Sequence, residues 1–199
     1  MKSRHPNNRP QPEAVEIEQI RSLFLAFMPS SIMSAGFIAS GIIIFLRTQD
    51  AIMLGLLLAG GLASIMRLAV AWMLAPMAAQ ERLTLREARL LERRFAWPYL
   101  TFAVMLGLFG LRAFMLPAPD VHMLTACLLI GYCGGVAVGM GLRLWIAVPA
   151  MIVSTAPGIL MAATNVDPVY WVMSALVASL LLGGSRSLQH RHARSVKDI

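Results

Sequence analysis

Charge is scarce in this 199-residue chain. Only 14% of its residues are Asp, Glu, Lys or Arg, against 58% that are hydrophobic, and 10 acids face 17 bases. Soluble domains carry about a quarter charged residues, so an ordinary soluble globule is excluded. Cysteine is equally rare: Cys127 and Cys133 are the only two. Their spacing turns them to different sides of one helix, so no disulfide framework is expected. The sequence has no His/Cys/Asp cluster at metal-ligand spacing, no glycine-rich phosphate loop followed by Lys, and no Gly-x-Ser-x-Gly elbow. His190 and His192, two apart, diverge too far on a helix to share a metal. No catalytic residue, metal or cofactor is nominated. The stretches between apolar runs are all well short of the ~50 residues a domain needs. The chain is therefore read as a non-enzyme.

Long apolar runs are abundant. They cover 23–46, 51–77, 98–116, 123–142, 144–163 and 166–182, and the mean hydropathy of the whole chain is +0.69. A hydrocarbon core of about 30 Å takes about 20 helical residues. Lipid offers a backbone no hydrogen-bond partners, so stretches of this length must be helical. The expected fold class is all-α: a polytopic membrane protein of six transmembrane helices, with an N-terminal tail 1–22 and a C-terminal connector 183–199. The first run is too long, and begins too late, to be a cleaved signal peptide. In the connector, Leu188, Val196 and Ile199 are too few and too unevenly spaced for a coiled coil.

Basic residues set the expected orientation. Of the 17 bases, all but Arg47, Arg67 and Arg112 fall in the two tails and the loops on the same side, which predicts cytoplasmic termini and the cell inner membrane as location. The net charge of +7 then reflects topology. No aromatic-interleaved basic platform accompanies it, so nucleic acid is not an expected partner. The lipid bilayer is.

Several residues stand out as candidate sites. Arg67 is the most deeply placed charge. It either snorkels or pairs structurally, the favoured reading, or faces the bundle and binds an anion or a carbonyl-rich site. Arg112, near the outer end of its span, has Asp50, Asp120 and Asp167 as candidate partners in a structural bridge. His122 nearby is read as a lone exposed histidine with pH sensing as its sharper alternative. Gly131, Gly135 and Gly139 repeat every four residues on one bare helix face, a packing signal for a neighbouring helix or a second copy in a homodimer. Tyr132 beside them is a candidate intramembrane hydrogen-bond donor. Between the second and third spans, Arg82, Arg86, Arg89 and Arg93 form a basic stripe, read either as a solvated face that fixes topology or as a site for anionic lipid. Thr84 and Glu87 have the spacing of a capping box.

At Gly131-Tyr132, Gly135-Val136 and the run Leu142-Arg143-Leu144-Trp145-Ile146-Ala147, the chain resembles the multi-span N-terminal membrane regions that precede diguanylate cyclase (GGDEF) domains in bacterial signalling proteins. The likeness extends weakly through Glu92-Arg93-Arg94-Phe95-Ala96, through the stretch from Leu106 to Arg112, and on to Pro157. The family pattern has proline where this chain has Leu144. The resemblance implies a sensory or anchoring module whose final helix leads into a cytoplasmic output domain or partner. The chain contains no GGDEF motif, so cyclase activity is not implied, and it is expected to be either a fragment of a longer cyclase or a stand-alone relative. The alternative is a small transporter or channel subunit, suggested by Arg67 and the glycine-lined helix. Pro149 and Pro157 share one span, but no predicted span carries Asp or Glu at mid-membrane, as a transporter's site usually would; Asp167 stands at the very start of the last run.

Overall fold

Apolar length sets the helices of the computed structural model, because a backbone without water must satisfy its own hydrogen bonds. Over the first apolar run the described helical residues are α1 (Gln11–Leu25) and α2 (Phe27–Thr48). They are followed by α3 (Ala51–Ala78), α4 (Leu85–Phe114), α5 (Pro119–Gly139) and α6 (Leu144–Ala163). The structure describes residues 11–25, 27–80, 83–140, 143–164 and, further on, 168, 170, 171, 175 and 179. The predicted sixth span, apart from those last five positions, and the connector 183–199 lie outside the described residues.

Five helices are long and apolar enough to cross a membrane: Ser30–Thr48, Ala51–Ala78, Leu85–Phe114, Pro119–Gly139 and Leu144–Met161. No strand occurs among the described residues. Side chains are distributed as a bilayer would require. Ile32, Leu58, Leu62, Trp72, Trp97, Val138 and Leu160 point outward, while the interior holds aromatic and small residues such as Phe37, Phe102, Phe109, Ala63 and Ala103. An apolar surface of this extent is unsustainable in water and ordinary in lipid. The chain is a multi-pass helical membrane protein.

Helical structure extends beyond the apolar runs at two places. Within the stretch 1–22 and just past it, α1 buries Ile17, Ile20, Leu23 and Phe24 at helical spacing against α3, α4 and α5. The segment before the third span is continuous with it. α4 runs unbroken from Leu85 through Pro98, since a proline inside a membrane helix is tolerated where neighbouring helices support the freed backbone. The Thr84–Glu87 capping box forms at its start.

α4 is the central helix, packing most extensively on α3 and α6. Its closest approach is at Gly107, where a Cβ would stand 2.3 Å from the carbonyl oxygen of Val153. That carbonyl lies four residues before Pro157, which has no N–H to donate to it. Gly60 plays the same part on α3, where a Cβ would stand 2.5 Å from the Phe37 ring. The glycines singled out in the sequence behave differently. Gly131 and Gly135 are exposed and would carry a Cβ with nothing within 4 Å. Gly139 is half-buried. Among the described residues, no helix packs closely on Gly131 or Gly135.

Candidate functional site

The candidate site is assembled where α2, α3, α4 and α5 meet. Arg67 of α3 is 2% exposed, so the snorkelling reading is overturned and the guanidinium faces the bundle. Its Nη2 donates to the carbonyl oxygen of Ser30 and to Ser34 Oγ, each at 2.9 Å. Ser64, one turn earlier on α3, donates to the same Ser34 oxygen at 2.6 Å, and Ser34 in turn donates to the Ser30 carbonyl at 2.8 Å. Aromatic faces complete the enclosure. The guanidinium carbon lies 4.2 Å from the Phe102 ring centre and 5.3 Å from that of Tyr99. No carboxylate lies within ion-pair distance of Arg67 among the described residues.

The magnitudes make this burial sustainable. An arginine in mid-helix costs about 2.5–3.5 kcal/mol on insertion scales. Hydrogen bonds from a charged donor return about 1.5–3 kcal/mol each, and a desolvated cation–π contact about 2 kcal/mol. The positive charge is thus solvated by dipoles and ring faces, but not neutralised.

Tyr132 of α5 is 1% exposed and packs edge-on against Phe102, with ring centres 5.9 Å apart. Its hydroxyl is buried beside Tyr99, whose side chain interacts with it, and Arg67 Nε is buried with no hydrogen-bond partner. Arg67, Tyr99, Tyr132, Ser30, Gly135 and Gly139 together line a cleft of about 20 Å³, room for about one water. The structure therefore joins three sequence candidates, Arg67, Tyr132 and the Gly135/Gly139 face, in one place.

An aromatic column leads from this cleft to the end of the bundle that carries α1. Phe24 of α1 meets Phe95 at 5.4 Å, Phe95 stacks on Tyr99 at 5.8 Å, and Phe37 contacts Phe102 at 5.5 Å and Phe109 at 5.1 Å. Each such pair contributes about 0.5–1.5 kcal/mol beyond its buried area.

The same end holds an ionic network. Glu92 is 5% exposed and accepts from Trp145 Nε1 at 2.8 Å, and Arg143 Nε pairs with the same carboxylate oxygen at 3.0 Å. Arg143 Nη2 also donates to the backbone carbonyl of Glu16 at 3.3 Å. Arg21 of α1 donates to the carbonyls of Ala78 at 3.0 Å and Gln80 at 2.6 Å. Arg89 grips the Glu16 carboxylate, and this hydrogen bond holds the Glu16 carboxyl below the usual range despite partial burial. The basic stripe is thereby broken up. Arg89 is engaged, Arg86 and Arg93 remain exposed, and Arg82 lies outside the described residues.

At the opposite end, Arg112 pairs with Asp50, its Nε donating to Oδ1 at 3.3 Å. Asp50 also caps α3 by accepting from the Met53 N–H at 2.8 Å. Arg112, then the Met53 N–H, hold the Asp50 carboxyl below its ordinary range. Asp120 goes instead to Arg47, at 3.1 Å, and Asp167 lies outside the described residues. His122 is not an exposed histidine. It is 6% exposed, because the first turn of α5 folds it beneath the preceding loop, and its ring bonds the Leu116 carbonyl at 2.7 Å and the Tyr170 hydroxyl.

Sequence reading missed Ser30, Ser34 and Ser64, and it missed Tyr99 and Phe102. Signals existed: the serines sit one helical turn from each other or from Arg67, and Phe95, Tyr99, Phe102 and Phe109 repeat on one face of α4. Glu16 and Glu92 are not singled out by the sequence, in which nothing shows that Arg89 and Arg143 meet them.

No family model matches the chain, and no curated protein or solved structure matches it. The fold and the site therefore define its class: a multi-pass helical membrane protein with a buried, uncompensated arginine in an aromatic and hydroxyl enclosure.

Proposed function

We propose that the chain is the membrane-embedded sensory or anchoring module of a bacterial signalling protein related to cyclic-di-GMP turnover. In this reading it lies in the inner membrane with its termini, and hence the α1 end of the bundle, in the cytoplasm. It acts with a cytoplasmic output domain or partner and carries no enzyme activity of its own. The observation that supports this most is Arg67. A permanent charge is held in a cleft of about 20 Å³, large enough to register one small polar group and too small to carry a solute through. Rigid contacts then link that cleft to the cytoplasmic end: the Tyr99–Phe95–Phe24 column reaches α1, and Arg143 ties α6 to α4 through Glu92. A group that displaces the Arg67 guanidinium would thus bear on the helix positions at the face where an output domain is reached.

A cyclase domain joined after Ile199 tests this. Its activity in membranes should differ between the native chain and Arg67→Gln. Equal activity, with equal expression, removes the sensory reading and leaves anchoring. The buried Arg67 is also the feature that favours a transporter or channel subunit. Anion flux across liposomes bearing the purified chain, lost in Arg67→Gln, decides for that alternative.

A further inference from the structure

The Arg67 cleft has the features of a binding site that lacks its counter-charge. Arg67 Nε is buried without a hydrogen-bond partner, and the buried Tyr132 hydroxyl has the Tyr99 side chain beside it but no hydrogen bond of full geometry, although such groups are nearly always satisfied in native proteins. Both residues line the same cleft. The charge they present is positive, and among the described residues no acid neutralises it. An anion is the complementary ligand.

The size of the cleft limits what that anion is. Its volume of about 20 Å³ admits a single oxygen-sized atom, so one oxygen of an oxyanion enters and the rest of the molecule stays outside. Directly outside is the bare face of α5. Gly135 and Gly139 belong to the cleft, and one turn further Gly131 and Gly134 would carry a Cβ with nothing within 4 Å. The flanks are apolar, with Val138 85% and Ile130 42% exposed. A shallow, apolar, backbone-floored groove leading from a buried cation matches a slender acyl chain ending in an acidic head.

The geometry points to an anionic amphiphile, with a carboxylate or phosphate head on Arg67 and Tyr132 and its acyl chain along the Gly131–Gly135–Gly139 face of α5. This rests on the membrane location and deepens the sensory reading by naming the chemistry sensed. It does not depend on any output domain, because binding is measured on the chain alone.

The test uses the full chain, purified and delipidated in mild detergent, with retained molecules counted by native mass spectrometry. The probes are oleate, phosphatidylglycerol, phosphatidylcholine and inorganic phosphate. Oleate or phosphatidylglycerol should be retained at least about tenfold more tightly than phosphatidylcholine, the amount expected from one hydrogen bond to a charged group. Oleate alone identifies a fatty-acid carboxylate, and phosphatidylglycerol alone a lipid phosphate. Arg67→Gln and Tyr132→Phe should each weaken retention. Because Arg67→Gln risks unfolding, Gly135→Leu is the decisive variant: its side chain enters open space, so the unliganded thermal midpoint should hold while the acyl groove is blocked and retention falls at least tenfold. Three outcomes overturn the proposal: no preference for anionic over zwitterionic lipid, inorganic phosphate binding as tightly as the amphiphiles, or unchanged retention in Gly135→Leu. A dimer of the native chain that Gly135→Leu dissociates, with lipid retention intact, assigns the glycine face to a second copy and likewise overturns it.

Discussion

The guanidinium of Arg89, near the start of α4, holds both carboxylate oxygens of Glu16 on α1, Nε to Oε1 at 2.9 Å and Nη2 to Oε2 at 3.1 Å. The two residues come from helices separated by the whole of α2 and α3, and with Arg143 and Glu92 they clamp α1 to the bundle. The Arg89–Glu16 pair is partly exposed and is worth about 1 kcal/mol or less. The Glu92–Arg143 pair is far more enclosed, with side-chain exposures of 6% and 12%.

Burial therefore predicts unequal costs within one network. Glu92→Ala takes the close carboxylate from Arg143, leaving it the Glu16 carbonyl at 3.3 Å and carboxylate at 3.9 Å, and should lower stability by about 3 kcal/mol, while Glu16→Ala should cost about 1 kcal/mol or less. Thermal unfolding in detergent ranks the two variants. Equal losses would show that the enclosure of Glu92 has no energetic consequence.

Acid should loosen α1 before the rest of the chain. Arg89 holds the Glu16 carboxyl below its ordinary 4.5, so the folded form binds its proton less readily than the unfolded one. The stabilisation is fully present above that ordinary value and is lost as pH falls through the lower, folded value. Asp50, held below 3.8, follows the same sign at the opposite end. Hydrogen exchange of the α1 amides should accelerate as pH drops below 4.5, after correction for the intrinsic rate, and Glu16→Gln should remove that step. A pH-independent protection profile in the native chain would contradict the clamp.

Two glycines of similar sequence context should respond oppositely to the same substitution. Gly107→Leu drives a side chain into the Val153 carbonyl 2.3 Å away and should cost at least ~1–3 kcal/mol, whereas Gly135→Leu meets nothing within 4 Å and should leave the thermal midpoint of the unliganded monomer unchanged. Unfolding curves of the two variants side by side check this, and destabilisation by Gly135→Leu alone would reverse the assignment of the packing face.

The proposed orientation is checked by reporter fusions. Fusions after Asp50 and Asp120 should report the outside and one after Gln80 the cytoplasm. Reversal at two of these three sites refutes the proposed topology.

Much of the architecture was legible along the chain because its signal is one-dimensional. Apolar length alone identifies helices α2 to α6, and Thr84 with Glu87 marks the start of α4. The Gly131–Gly135–Gly139 spacing gave the shared face, and left open whether a neighbouring helix or a second copy covers it, since spacing reports which side chains align and says nothing of what opposes them.

What the sequence by itself determined is which segments enter the membrane and which residues share a helix face, because both follow from local hydropathy and the helical repeat. Only the tertiary structure decided the partners. Arg67 faces inward because Ser30, Ser34, Tyr99 and Phe102 converge on it from other helices. Asp50 is paired with Arg112 and Asp120 with Arg47, though the sequence left all three outer acids open to Arg112. Contacts of this kind depend on how helices rotate and cross, and that is set by the sum of many weak packing interactions that no single segment contains.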